Sequence, residues 1–184
     1  AQRLGLLNPE RAVLLAYSKI WLYDELLASD FPDDRWCAGA LVRYFPTAVR
    51  NTYAAYLPQH PLRREIIATA LLNETVNRVG ATFVHRIAEA SGASVPAIVR
   101  AFVLTREVFG LAQLWQGIEA LDNQVPDLVQ TEMLDDCGRL IWRATLWFLR
   151  SPHLRDDIEE TIAHFAPAVE SVYQCIEPLL GAAA

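Results

Sequence analysis

HPLRREIIATALLNETVNRVGATFVHRIAEAS, residues His60 to Ser91, is the stretch on which the fold turns. Pro61 sits just inside a helix start, and Ser91-Gly92 is a stop signal. Between Pro61 and Ala90 the only weak point is Gly80, which costs a helix about 1 kcal/mol relative to alanine. The pattern predicts one continuous helix over about 61–90. Thirty residues at roughly 1.5 Å each would reach about 45 Å. A compact chain of 184 residues is roughly 40 Å across, so such a rod would traverse the whole body. Leu62, Ile66, Leu71, Val76, Phe83 and Ile87 line one side, and Ile67, Ala70, Val79, Ala81 and Val84 carry apolar surface round to the others. A helix apolar on nearly all sides is expected in the interior.

Working outward, Asn8-Pro9-Glu10 opens a helix that runs to about Ser29, with Asn8 as the expected cap. Phe31-Pro32-Asp33-Asp34 breaks it. Short helices over Arg35–Tyr44 and from Thr47, an expected cap, to about Leu57 follow, and Pro58-Gln59-His60-Pro61 is the next break. Downstream, Ser94 and Pro96 open a helix to about Leu121, Asp122 to Pro126 turn the chain, and a long helix follows to Arg150. Ser151-Pro152 starts another to about Phe165, which Pro167 interrupts or kinks before AVESVYQCIEPLL. No alternating strand pattern, hairpin turn or internal repeat occurs. The expectation is an all-α fold in one domain, residues 1–184: an antiparallel multi-helix bundle around a long buried central helix.

Composition narrows the function. Hydrophobic residues make up 53% and charged ones 21%, which excludes a disordered segment. No apolar run reaches the roughly eighteen residues of a membrane span. The start, AQRLGLLNPER, has no signal-peptide core, so a cytoplasmic location without membrane contact is expected, and the abrupt helix signal suits a piece of a longer protein. A net charge of −6, with Lys19 the single lysine, argues against a broad nucleic-acid surface. Cys37, Cys137 and Cys175 are scattered and read as buried apolar groups or free thiols. The glycines never fall into a dinucleotide or P-loop spacing, and no paired Glu-x-x-His motifs suggest a di-iron bundle. His85 with Glu89, and Glu160 with His164, could each share a helix face, but two ligands do not make a metal site. No catalytic, cofactor-binding or metal-binding residue is expected, and the chain alone is expected to be inactive.

Polar residues on the central stretch need an account. Arg63, Arg64, Asn73, Glu74, Asn77 and Arg78 lie on a helix assigned to the interior. Glu74 and Arg78 are one turn apart, as are Asn73 and Asn77. Buried amides must be hydrogen-bonded, with Tyr17, Asp24, Arg106, Glu107, Gln130 and Glu132 as candidate partners. Arg64, Asn73, Glu74, Asn77 and Arg78 therefore form either a register-fixing network or a docking or small-ligand face. Trp142 to Leu149 is apolar on every side and serves either core or interface. Trp21, Trp36 and Trp115 fit core or helix-crossing positions, and His60, His153 and His164 fit caps or surface.

Three segments, taken in order, carry a resemblance: NPERAVLLAYSKIWLYDELLASD, HPLRREIIATALLNETVNRVGATFVHRIAEASG and TREVFGLAQLWQGIEALDNQVPDLVQTEML. They resemble the C-terminal helical region of the large bacterial NAD-specific glutamate dehydrogenases, from about Leu6 to beyond Trp147, with the tail after 150 matching loosely. The resemblance implies a fragment of an oxidoreductase that deaminates L-glutamate to 2-oxoglutarate and ammonia while reducing NAD. The nicotinamide fold would lie upstream, so no cofactor is expected here, and mid-helix Lys19 is not the substrate lysine. The implied partners are the catalytic domain of the same polypeptide and other subunits of a homo-oligomer, in an assembly or regulatory role. The alternative is a free-standing helical ligand-binding or dimerisation module, and a bundle metalloenzyme is a third possibility.

Overall fold

Prolines and glycines punctuate this chain, and they set most of its helix ends. The computed structural model describes residues 5–181, with side chains described through 175; residues 1–4 and 182–184, and the side chains closing the AVESVYQCIEPLL segment, lie outside the described residues. Among the described residues there are nine α-helices and no strand. They are α1 (Asn8–Leu27), α2 (Ala38–Tyr44), α3 (Thr47–Tyr53), α4 (Arg63–Val79), α5 (Phe83–Ser91), α6 (Val95–Val108), α7 (Leu111–Glu119), α8 (Asp127–Arg150) and α9 (Ile158–Gly181), with four 3₁₀ turns in three of the connections, two of them between α1 and α2. The all-α expectation holds.

The unbroken rod does not. Residues 61–90 divide into α4 and α5, separated by Gly80-Ala81-Thr82. Gly80 adopts φ 89° and ψ 162°, a backbone region that essentially only glycine occupies, so the helix cannot pass through it. Nor is the stretch enclosed on all sides. In α4, Ile66, Ile67, Ala68, Leu71, Leu72, Thr75 and Val76 are buried along one broad face, Asn77 and Arg78 are exposed, and Leu62 just ahead of it is 54% exposed. The run that is buried without interruption is Ala101 to Arg106 in α6, each residue at most 4% exposed. A second predicted helix, Ser94 to Leu121, also breaks, at Gly110 with φ 58° and ψ 33°.

Local details adjust the predicted caps. Asn8 is the first helical residue, and Glu10 Oε2 reaches back to accept from Leu7 N at 2.7 Å. Thr47 is likewise helical, with Arg50 Nη2 donating to its hydroxyl at 2.8 Å. Ser151 does cap, accepting from His153 N, but only for the turn Pro152–Arg155. Asp157 then opens α9 by accepting from Glu159 N and Glu160 N. Pro167 lies within α9 and does not end it.

The fold groups into two compact units, one up to Val99 and one from Arg100, with the division inside α6. In the first, α4 packs on α1 and on α2. Leu22, Leu26, Cys37, Leu41, Ile67, Leu71 and Ile87 form its core, each at most 2% exposed. Each such Leu or Ile contributes about 1.5–3 kcal/mol by leaving water. In the second, α7 packs on α8, and Phe102, Leu104, Leu111, Ile141, Phe148 and Ile158 are at most 1% exposed. Arg100 Nε donates to Leu154 O at 2.7 Å, fastening the turn before α9.

Candidate functional site

The candidate polar residues of α4 separate into three places. Arg64, at the start of the helix, donates from Nη2 to Leu27 O at 2.8 Å and to Ser29 O at 2.9 Å. These are the carbonyls at and just past the end of α1, where a cation satisfies orphan acceptors and the negative end of the helix dipole. Arg63 and Arg64 both pair with Asp33. Arg64 is thus a fastener between α1 and α4, nine residues or about 13 Å along the helix from Asn73. It does not join the other four.

Asn73 and Asn77 meet a partner from α1. Lys19 Nζ donates to Asn73 Oδ1 at 2.7 Å and to Asn77 Oδ1 at 3.2 Å. An ammonium has only donors, so both amide oxygens must turn toward it and both NH₂ groups away. None of the six partners expected from sequence takes this role: Arg106 pairs with Glu107, and Gln130 Nε2 donates to Ile118 O at 2.8 Å. Lys19 was legible in principle. It lies three and seven residues before Leu22 and Leu26, so the inward stripe of α1 extended by one turn lands on it.

Glu74, Asn77 and Arg78 border a cleft on the α2 side of α4. Its other walls are Ala40, Arg43, Tyr44 and Ala70, and its volume is about 550 Å³. Two of the lining residues are alanines, and the others carry longer polar side chains. Because Lys19 holds the Asn77 oxygen, the NH₂ of that amide is the end left for the cleft. A family model described as "Glutamate dehydrogenase, C-terminal" matches residues 3–184.

The chain belongs to this glutamate dehydrogenase C-terminal family.

The match runs through the tail after residue 150, where the sequence motifs fitted only loosely. Among curated proteins, the NAD-specific glutamate dehydrogenase of Halomonas elongata is 40% identical over 94% of this chain, and that of Pseudomonas aeruginosa 38% identical over 96%. The Mycobacterium tuberculosis protein of the same name is 40% identical over 79% of the chain. The chain spans only 9–11% of the length of these relatives. Its features are those of one short region of the glutamate dehydrogenase polypeptides it resembles.

Elsewhere in this family member several titratable groups have local contacts. His85 Nε2 lies 3.6 Å from Glu89 Oε1, and its ring meets Trp21 edge-on at 6.0 Å. His153 Nδ1 contacts Asp156 Oδ2 at 2.7 Å, and its ring stands 5.3 Å from His164. Burial and the adjacent Asp136 carboxylate push the Cys137 thiol up. Burial, then Cys137 and Glu170, raise Tyr173, whose hydroxyl donates to Phe109 O at 3.2 Å. In the stretch from Trp142 to Leu149, Phe148 is fully buried, whereas Trp147 is 52% exposed and packs edge-on against Phe165.

Proposed function

We propose that this chain is the non-catalytic C-terminal helical region of an NAD-dependent glutamate dehydrogenase, and that its task is assembly. In this reading the whole polypeptide oxidatively deaminates L-glutamate to 2-oxoglutarate and ammonia, reducing NAD. The helical region packs on the rest of its own polypeptide and supports the homo-oligomer.

The uncovered face of α1 carries the reading. Val13, Tyr17 and Ile20 follow at helical spacing and are 55%, 70% and 58% exposed, while Lys19, Leu22 and Leu26 turn the other way, toward α4. One side of the helix is spent on the unit's own core, and a second apolar side faces water. An apolar patch of this kind marks a contact surface. On α8 the buried stripe Cys137, Ile141, Ala144, Phe148 continues toward the helix start through Met133 and Leu134, at 39% and 41% exposure. Relatives carry almost nine-tenths of their length outside the matched region, so their own chain supplies ample surface to cover both stripes.

Deleting residues from Leu6 onward in the full polypeptide tests this by light scattering and steady-state kinetics. The expected result is a smaller oligomer. An unchanged oligomer with unchanged kinetics ends the assembly reading.

A further inference from the structure

Residues 35–64 carry five arginines, Arg35, Arg43, Arg50, Arg63 and Arg64, and no carboxylate, in a chain whose net charge is −6. Arg63 and Arg64 reach back to Asp33. Arg43 and Arg50 have no carboxylate partner among the described residues. Arg50 Nη2 donates to the Thr47 hydroxyl at 2.8 Å, and its Nε, shut off from water, has no acceptor. The acid-free stretch thus holds cations whose counter-charges this unit does not supply.

Helix α3 lies in the same stretch and raises a second question of supply. The rings of Phe45 and His60 meet at 5.5 Å, so the chain leaves the unit at Phe45, forms α3 and returns to the same place. No residue of α3 is buried. Seven residues are too few for a helix to hold together alone in water, where most helical stability comes from packing an apolar face. Such a face exists. Val49, Tyr53 and Tyr56 stand four and three residues apart, one helical side continued into the turn that follows. Tyr53 is 53% and Tyr56 71% exposed, and their rings meet at 6.5 Å.

We propose that α3 and the turn after it dock on an acidic segment of the same polypeptide outside residues 1–184. Arginine forks bind carboxylates through paired hydrogen bonds, and tyrosines beside arginines are the side chains that anchor protein interfaces. A nucleic acid fits less well. Arg43 and Arg50 would neutralise about two phosphates, and the one lysine is held by Asn73 and Asn77. Curated relatives carry almost nine-tenths of their length outside the matched region, and a partner on the same polypeptide meets the patch at high effective concentration. The proposal rests on reading this chain as one region of a longer polypeptide. It does not depend on whether α1 or α8 supports the oligomer.

Site-specific photo-cross-linking in the full polypeptide tests it. Tyr56 is replaced by p-benzoylphenylalanine, and the irradiated, purified protein is digested and read by mass spectrometry. The expected capture is one peptide from outside residues 1–184 with at least two carboxylates close together. Arg43→Glu combined with Arg50→Glu brings like charges together and is expected to cut the cross-link roughly tenfold. Arg43→Lys with Arg50→Lys keeps the charge and should keep most of the yield. The captured peptide is identified whatever the oligomer size, so this result and the assembly result are read apart. A probe that captures no protein overturns the proposal. So does a captured peptide without carboxylates, or one that belongs to residues 1–184 of any copy. A cross-link undiminished in the double Glu variant overturns charge as the basis of docking.

Discussion

Replacing Gly80 by alanine sets two opposing tendencies against each other. In water and in a regular helix, Gly→Ala is favourable: it adds about 1 kcal/mol of helix propensity and restricts the unfolded chain. At Gly80 the backbone has φ 89° and ψ 162°, where a Cβ costs about 1–3 kcal/mol even though no atom lies within 4 Å of it. The chain could escape by straightening α4 into α5. That would withdraw Phe83, Val84 and Ile87, which are 6%, 3% and 0% exposed, at about 1.5–3 kcal/mol each. Several kcal/mol of lost burial outweighs about 1 kcal/mol of propensity, so the break persists and the strain is felt. Gly138 provides the control. It lies inside α8 with open space at its Cβ position, so Gly138→Ala is expected to stabilise by up to about 1 kcal/mol. Urea unfolding followed by far-ultraviolet circular dichroism should give midpoint shifts of opposite sign, down by about 1–2 kcal/mol for Gly80→Ala. If Gly80→Ala raises the midpoint as Gly138→Ala does, the glycine break is not what divides the helix.

Lys19→Met keeps the stem but leaves two amide oxygens without their donor, and should cost about 1–2 kcal/mol in the same assay; an unaltered midpoint removes Lys19 from the register argument. Cys137 and Tyr173 are both acids whose neutral forms the fold favours. Their stabilising contribution is complete below their ordinary ionisation near 9.0 and 10.0 and is lost as the pH climbs beyond. The melting temperature should therefore drop above about pH 9, less steeply in Tyr173→Phe, and an identical profile for that variant rejects the linkage. Exposed Cys175 should react with iodoacetamide well before buried Cys137, and the reverse order contradicts the structure. Tyr17→Glu and Ile20→Glu, on the water-facing side of α1, should leave helix content intact while weakening assembly of the full polypeptide; a normal oligomer in both variants removes α1 as the contact.

Helix identity was legible because proline and capping signals are local. Helix continuity was not, and the reason is geometric. Phe83 and Ile87 stand seven and eleven residues after Val76, the phase a single straight helix would also give, so apolar spacing is blind to the interruption. Only the sign of φ at Gly80 and at Gly110 reveals the two breaks, and glycine in a sequence carries no sign. Site residues show the same limit. Asn73 and Asn77 were singled out from their burial problem alone, and both are satisfied. Their partner was sought among one tyrosine, three acids, one amide and one arginine, although two amide oxygens side by side call for a donor with more than one proton. Arg64 looked like a member of the group because it shares the helix, whereas its length carries it to the end of α1. The cleft itself is lined from α2 and α4 together, by residues such as Ala40 and Ala70 that stand 30 apart, a juxtaposition that no periodicity encodes.

Fifteen of the sixteen basic side chains are arginine, and the exception, Lys19 of α1, holds two amides of α4. A single ε-amine makes the molecule its own reporter. An acylating reagent aimed at primary amines has one internal target, and success there both neutralises a cation and unfastens two amides. The speed of that one reaction would therefore register how often α1 lifts away from α4, with no label introduced by design.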